Sequence, residues 1–263
     1  CLTRASRFLD APRLLEGAAR AAAWINPELI AADADLDIVS GSAGAVLGLL
    51  CLHAETGEPA HLTSAIACGR HVLERRTPAP DGARAWKTRW ARPLTGFSHG
   101  AAGIAYALLR LAAATGDRTW LDAAREAINY ERRTYSAAMQ NWPDFRSPDE
   151  SDGEPAFMMS WCHGAPGIAL ARLGGLPSLD DPGVRDDIAV ALHASRNVSM
   201  TGVDHLCCGN FGRVEVLQVA AQRLARPDLA RAAQRLTEAV VGRAGPRSAF
   251  RLLPELPYDV FCP

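Results

Sequence analysis

Two kinds of helical stretch alternate along this chain. One kind is apolar nearly all round: about Ala45 to Glu55, Ile104 to Thr115 and Ile168 to Leu173, with Val214 to Leu224 apolar on its inner side. Helices with so little polarity are buried on most sides. The other kind is amphipathic: about His61 to Arg75, with Arg70, Arg75 and Arg76 on the wet side, Thr119 to Thr134, Asp186 to Ser195, and Leu229 to Val241. Residues 11–24 also carry a helical pattern, with Leu14, Leu15, Ala18 and Ala22 on one side, before Asn26-Pro27 breaks it. A unit of one buried and one surface helix, repeating at ~50 residues, predicts a helical repeat architecture. No alternating strand pattern of useful length appears.

Each inner helix follows a Gly-x-x-Gly turn, and the residues just ahead of these turns are unusual. Ser40 precedes Gly41-Ser42-Ala43-Gly44, and His99 precedes Gly100-Ala101-Ala102-Gly103. Cys162-His163 precedes Gly164-Ala165-Pro166-Gly167, and Cys207-Cys208 precedes Gly209-Asn210-Phe211-Gly212. If the inner helices run parallel in one ring, their N-termini meet at one end. Cys162, Cys207 and Cys208 then converge, and three protein ligands with an open position are the pattern of a catalytic metal site. A helix N-terminus also favours thiolate over thiol. The competing reading is three buried packing cysteines, the role assigned to Cys51 and Cys68 inside helices. His99 and His163 are candidates for proton transfer near neutral pH. Asp37, at the mouth of the first turn, is placed to orient His99 or accept a proton. Alternatively it complements the dipole of the helix that follows.

Composition narrows the setting. The chain has 263 residues, 48% of them apolar, and a formal net charge of -1. That length allows one large domain, 1–263, and that charge gives no electrostatic reason to expect nucleic acid. Seven cysteines spread over the chain without a signal peptide favour a reducing cytosol, and the localisation expected is cytoplasmic. No stretch reads as a transmembrane helix. The chain begins at Cys1 and closes on Phe261-Cys262-Pro263, and reads as part of something longer. The long loop from Gln140 to Ser160, with an acidic patch at Asp149 to Asp152, reads either as a functional segment or as a surface insertion.

Five ordered motifs together resemble a known family. They are Asp37-Ile38-Val39-Ser40-Gly41-Ser42-Ala43-Gly44, Thr95 to Gly103, Asn141-Trp142-Pro143-Asp144-Phe145-Arg146, Trp161 to Gly167, and Cys207 to Gly212. This set is similar to the cyclase domain of class II lanthipeptide synthetases. The resemblance implies an all-α fold, an α/α toroid of inner and outer helices. It implies Zn2+ bound by Cys162, Cys207 and Cys208, with Asp37 and His99 as the acid/base pair. His163 is a further catalytic candidate or a fourth ligand. Stand-alone cyclases tend to carry an Arg shortly before the Trp-Cys; here Met158 and Met159 stand there, leaving that role vacant or passed to Arg146. Arg146 and Trp161 are expected to touch the peptide. The family ring has more helical pairs than the four motifs placed here, so this ring is expected to be incomplete, lacking an early part and its last turn.

The resemblance implies the chemistry. A fused N-terminal dehydratase domain converts Ser and Thr of a lanthipeptide precursor, leader plus core peptide, to dehydroalanine and dehydrobutyrine. The cyclase then adds peptide Cys thiols across those alkenes. Other readings are a non-catalytic, zinc-containing toroid that binds peptides, and a relative that adds glutathione to dehydrated proteins. A glycosidase toroid would need paired carboxylates at the mouth, where only Asp37 is well placed.

Overall fold

The structure is a computed structural model that describes residues 1–78, 83–90, 92–146, 155–197, 199–200, 202–246 and 248–252. The acidic patch at Asp149 to Asp152 and Cys262 lie outside the described residues. The first elements are α1 (Leu2–Phe8), α2 (Arg13–Ala22) and α3 (Pro27–Ala32). Four pairs follow: α4 (Ser42–Thr56) with α5 (Pro59–Glu74), α6 (Ala101–Thr115) with α7 (Arg118–Thr134), α8 (Ala165–Gly175) with α9 (Pro182–Asn197), and α10 (Asn210–Arg223) with α11 (Pro227–Ala244). The first member of each pair is an inner helix, and α4, α6, α8 and α10 pack on one another in chain order. The architecture is the all-α, inner-and-outer-ring arrangement of the α/α toroid.

Local chemistry sets the ends of these helices. Inner helices α4 and α6 stop at Gly57 and Gly116, whose φ of 70° and 73° lie in the left-handed region that glycine adopts without strain. Outer helices α5 and α11 start on Pro59 and Pro227, which suit a first turn that has no use for their missing N–H. Asp117 caps α7 by accepting from Thr119 N at 2.9 Å. The inner helix α6 buries Ile104, Leu108, Leu109 and Leu111, and α7 meets it with Trp120, Ala124, Ala127 and Ile128.

Three features depart from the sequence reading. The inner helices begin at the x residues of the Gly-x-x-Gly turns, so the second glycine lies inside the helix. The preceding helix already ends at Ala22, and Asn26-Pro27 starts another: Asn26 accepts from Leu29 N at 2.8 Å and Pro27 opens α3. A short antiparallel pair, β1 (Thr77–Pro78) and β2 (Arg84–Ala85), aligns Thr77 with Ala85 and Pro78 with Arg84. No helix among the described residues is long and apolar enough to cross a membrane.

Candidate active site

Three of the four turns share one construction. In the first, Ala43 N and Gly44 N donate back to Leu36 O and Asp37 O. In the second, Ala101 N and Gly103 N donate to Leu94 O and Gly96 O; in the fourth, Asn210 N and Phe211 N donate to Val203 O and Asp204 O. This folding-back drives the second glycine against a carbonyl. A side chain on Gly44, Gly103, Gly167 or Gly212 would collide with the backbone oxygen of Ile38, Phe97, Trp161 or Leu206 respectively. The third turn departs from the others: Gly164 has φ 89°, and the Asn141 side chain accepts from Ala165 N at 2.8 Å. An acceptor side chain also serves the other inner-helix starts. Asp33 Oδ2 accepts from Ser42 N at 2.7 Å, Glu131 Oε1 from Ala102 N at 3.0 Å, and Asp204 Oδ1 from the Asn210 side chain at 2.9 Å.

Main-chain hydrogen bonds then join turn to turn. Ile38 N donates to Ser98 O, Phe97 N and Ser98 N both donate to Cys162 O, and Cys162 N donates to Cys207 O, all at 3.1–3.3 Å. The slots ahead of the glycines are thereby drawn to one end of the inner helices.

Cys162, Cys207 and Cys208 have sulfurs within 4.8 Å of one another, and this is the group of ligating atoms brought together among the described residues. Cys208 Sγ lies 3.3 Å from each of the other two. Burial, with Cys162 and Cys207 beside it, pushes the Cys208 thiol far above its ordinary range. Burial raises the Cys207 thiol as well. Cys162 is buried and Cys207 exposed, so the cluster opens outward on the Cys207 side. Ser160 Oγ lies 3.2 Å from Cys162 Sγ. Cys68 is buried in the core, where burial lifts its thiol to about 11.

His99 Nδ1 sits 2.7 Å from Asp37 Oδ2. The other Asp37 oxygen accepts from Val39 N at 2.9 Å and Ser40 N at 2.8 Å, so this fully buried carboxylate is fixed at both ends. The His99 ring lies between Trp90, 5.1 Å away, and His163, 5.8 Å away. His163 is buried, with Nε2 3.4 Å from Ser98 Oγ; it is not among the grouped ligand atoms. Burial pulls its imidazole down to about 4, against an upward pull from Asp144.

The Asn141 to Arg146 segment is a frame for this end of the ring. Trp142 is buried and donates to Glu131 O at 3.0 Å, and Pro143 O accepts from Thr95 Oγ1 at 2.6 Å. Asp144 takes Arg146 Nε and Nη2 at 3.0 and 2.7 Å, and Arg146 Nη2 reaches Met158 Sδ at 3.0 Å. Arg146 thus reaches the segment just ahead of Trp161. Trp161 is half-buried and packs on Phe97, ring centroids 5.2 Å apart. The sequence reading missed Asp33, Glu131, Trp90 and Asp204. Asp33 and Asp204 carry a local signal, an acid a few residues ahead of a Gly-x-x-Gly helix start; Glu131, on an outer helix, carries none.

A family model described as lanthionine synthetase C-like protein matches residues 2–248. The chain belongs to the lanthionine synthetase C-like family. No curated protein matches it. Among solved structures, this lanthionine synthetase C-like chain is similar to a nisin cyclase, with TM-score 0.54 and 17% identity over 91% of this chain and 65% of that one. It is also similar to a GH76 α-mannanase of Bacteroides thetaiotaomicron, TM-score 0.59 and 12% identity over 82% and 61%. A cellobiose 2-epimerase of Spirochaeta thermophila matches with TM-score 0.55 and 17% identity over 78% and 59%. At these identities the likeness is one of fold. The chain spans about six-tenths of the length of the solved structures it matches.

Proposed function

We propose that this chain is the cyclase part of a class II lanthipeptide synthetase. It would form thioether rings by adding peptide cysteine thiols to dehydroalanine or dehydrobutyrine. The observation that carries the reading is the meeting of three cysteine sulfurs and an Asp37–His99 pair at one end of the inner helices. Glycoside hydrolysis uses a pair of carboxylates flanking the scissile bond. Here Asp37 is held by His99 and two backbone N–H groups, and Asp144 by Arg146.

The donor set fits zinc. Tetrahedral ligation at a Zn–S length of ~2.3 Å separates sulfurs by ~3.8 Å. Two of the separations here are 3.3 Å, so ligation needs a spread of only a few tenths of an ångström. Three clustered thiolates repel one another without a cation, so a metal that displaced the thiol protons would relieve the cluster. Cys162, Cys207 and Cys208 would hold the zinc, which would supply a place for a peptide cysteine as its thiolate.

The remaining work falls to the protein. The peptide sulfur bonds to the alkene β-carbon, the π pair moves toward the adjacent carbonyl as an enolate, and the α-carbon then takes a proton. With its Nδ1–H held by Asp37, His99 takes the thiol proton at Nε2, and the imidazolium so formed returns that proton to the α-carbon. His163 stands behind it as a neutral ring, in keeping with its lowered pKa. Arg146, against Met158, stands in for the Arg of stand-alone relatives and holds a peptide carbonyl; Trp161 walls the same side. In this reading the partner is a dehydrated precursor, leader plus core peptide, supplied by a fused dehydratase domain.

His99→Asn tests the assignment on a peptide carrying one dehydroalanine and one cysteine. Zinc content and fold should persist while cyclisation, followed by thiol alkylation and mass, slows by ~10²–10⁴-fold. Wild-type rates in the variant would remove His99 from the mechanism. Zinc that never exchanges with added thiol would favour a structural metal, and preferential capture of glutathione would favour the glutathione-adding relative.

A further inference from the structure

The candidate active site rests on a buried ionic circuit that the chemistry above does not use. Glu131, on the outer helix α7, is fully buried. Its Oε1 accepts from Gly96 N at 2.9 Å and Ala102 N at 3.0 Å. Those two residues flank His99 on either side, and Ala102 lies in the first turn of α6. Its Oε2 accepts from Arg172 Nη2 at 2.8 Å. Arg172 is 1% exposed and lies on α8, the helix that starts just after Cys162 and His163. Arg172 Nε continues to Asp187 Oδ2 on α9 at 3.0 Å, and Asp187 returns to Arg132 Nε on α7 at 3.0 Å.

We infer that Glu131, with Arg172 as its partner, is the positioning residue that fixes His99 relative to the thiol cluster. The inference deepens the cyclase reading and rests on it. The partners of the Glu131 carboxylate among the described residues, Gly96 N, Ala102 N and Arg172 Nη2, are all donors, which suits an acceptor-only ionised side chain. Burial pushes that carboxyl upward, and the Arg172 guanidinium opposes the push. Buried ion pairs are poor devices for stability alone, because well-packed apolar residues often serve as well or better. This pair does something apolar residues cannot. One carboxylate grips the main chain before and after His99 and ties both to the helix that carries the Cys162 turn. The ring nitrogen of His99 must meet an enolate carbon set by where the peptide sulfur is held, so the distance between the two turns decides proton delivery. A misplacement of ~1 Å costs about 100-fold in rate.

The test compares Glu131→Gln with Leu229→Ala, a buried apolar truncation on α11, each assayed well below its melting temperature. The probe is the same one-cysteine, one-dehydroalanine peptide. In Glu131→Gln, kcat should fall roughly 10- to 100-fold, with KM and zinc content within about two-fold of wild type. The His99 imidazole resonance should shift in heteronuclear NMR, reporting a changed contact with Asp37. Leu229→Ala should lose melting temperature without losing kcat. Should Glu131→Gln not fold, Arg172→Lys keeps the charge, loses the planar fork and carries the same expectation. Unchanged kcat and an unmoved His99 resonance would overturn the inference, as would an equal kcat loss in Leu229→Ala. If wild-type protein binds zinc but forms no thioether, the cyclase reading fails, and the His99 resonance alone still decides whether Glu131 positions that ring.

Discussion

At Asp144, charge wins over burial. Burial alone would raise this carboxyl, yet the Arg146 fork and nearby His163 hold it below the usual carboxylate range. A carboxyl with a depressed folded pKa stabilises the fold above its unfolded pKa of ~3.9, and that contribution is lost as pH falls through the folded value. Melting temperature should therefore drop more steeply as pH falls below about 4 in wild type than in Asp144→Asn. Parallel curves would mean the pair contributes nothing. The cysteines divide just as sharply. Cys162→Ala should lose most of the zinc, while Cys68→Ala, a core thiol, should keep it; equal metal content in both would remove the sulfur cluster as the site. The slot residues Cys162, Cys208 and His99 were legible because each stands beside a glycine turn. Arg146 was legible only through a resemblance, since its reach to Met158 depends on a loop closing in space.

Among elements, α8 shows most clearly what sequence conceals. Its inner-ring character is plain in Ile168, Ala169 and Leu173, all fully buried. Its start is not plain, because Gly164 to Gly167 look like loop residues, yet Gly164 is the N-cap and Ala165 to Gly167 lie in the first turn. Asn141, from a different segment, supplies the acceptor for Ala165 N, accepts from Trp142 N at 2.8 Å, and donates to Met158 O at 2.9 Å. Replacing it with Ala strands those buried groups, and a lost cap with unsatisfied partners costs about 1–3 kcal/mol. Chemical denaturation of Asn141→Ala should show that loss, with Asn141→Asp, which keeps the acceptor, losing less. Equal stability in all three proteins would assign the cap to another group. The helix α3 went unread for a similar reason: Asn26-Pro27 breaks a pattern and caps a helix with the same two residues. A two-residue strand such as β1 has no periodicity to read.

Across the whole molecule, depth falls off from the inner ring outward and toward the first elements. No residue of α2 or α3 is buried, whereas α6 buries residues on nearly every side. Local opening follows buried apolar contact, so amide hydrogens of α6 and α8 should exchange slowest and those of α2 and α3 fastest in hydrogen–deuterium exchange. Uniform protection would contradict this ordering. The ring and the convergence of its four turns could be read from repeated apolar helices behind repeated glycines. The supports under the turns could not: Glu131 meets Gly96 across 35 residues, and no local pattern marks so distant a partner.

The stitches between the turns are made by main-chain groups: Ile38 N to Ser98 O, Phe97 N and Ser98 N to Cys162 O, Cys162 N to Cys207 O. Nearly every substitution leaves a backbone N–H in place, so the slots can exchange Ser, His and Cys without moving. Only proline removes the donor. The stitches themselves are thus untouched by most side-chain replacements, and proline at Ile38, Phe97, Ser98 or Cys162 is what removes them. The side chain of each slot can therefore change its chemistry while the main chain keeps its address in space.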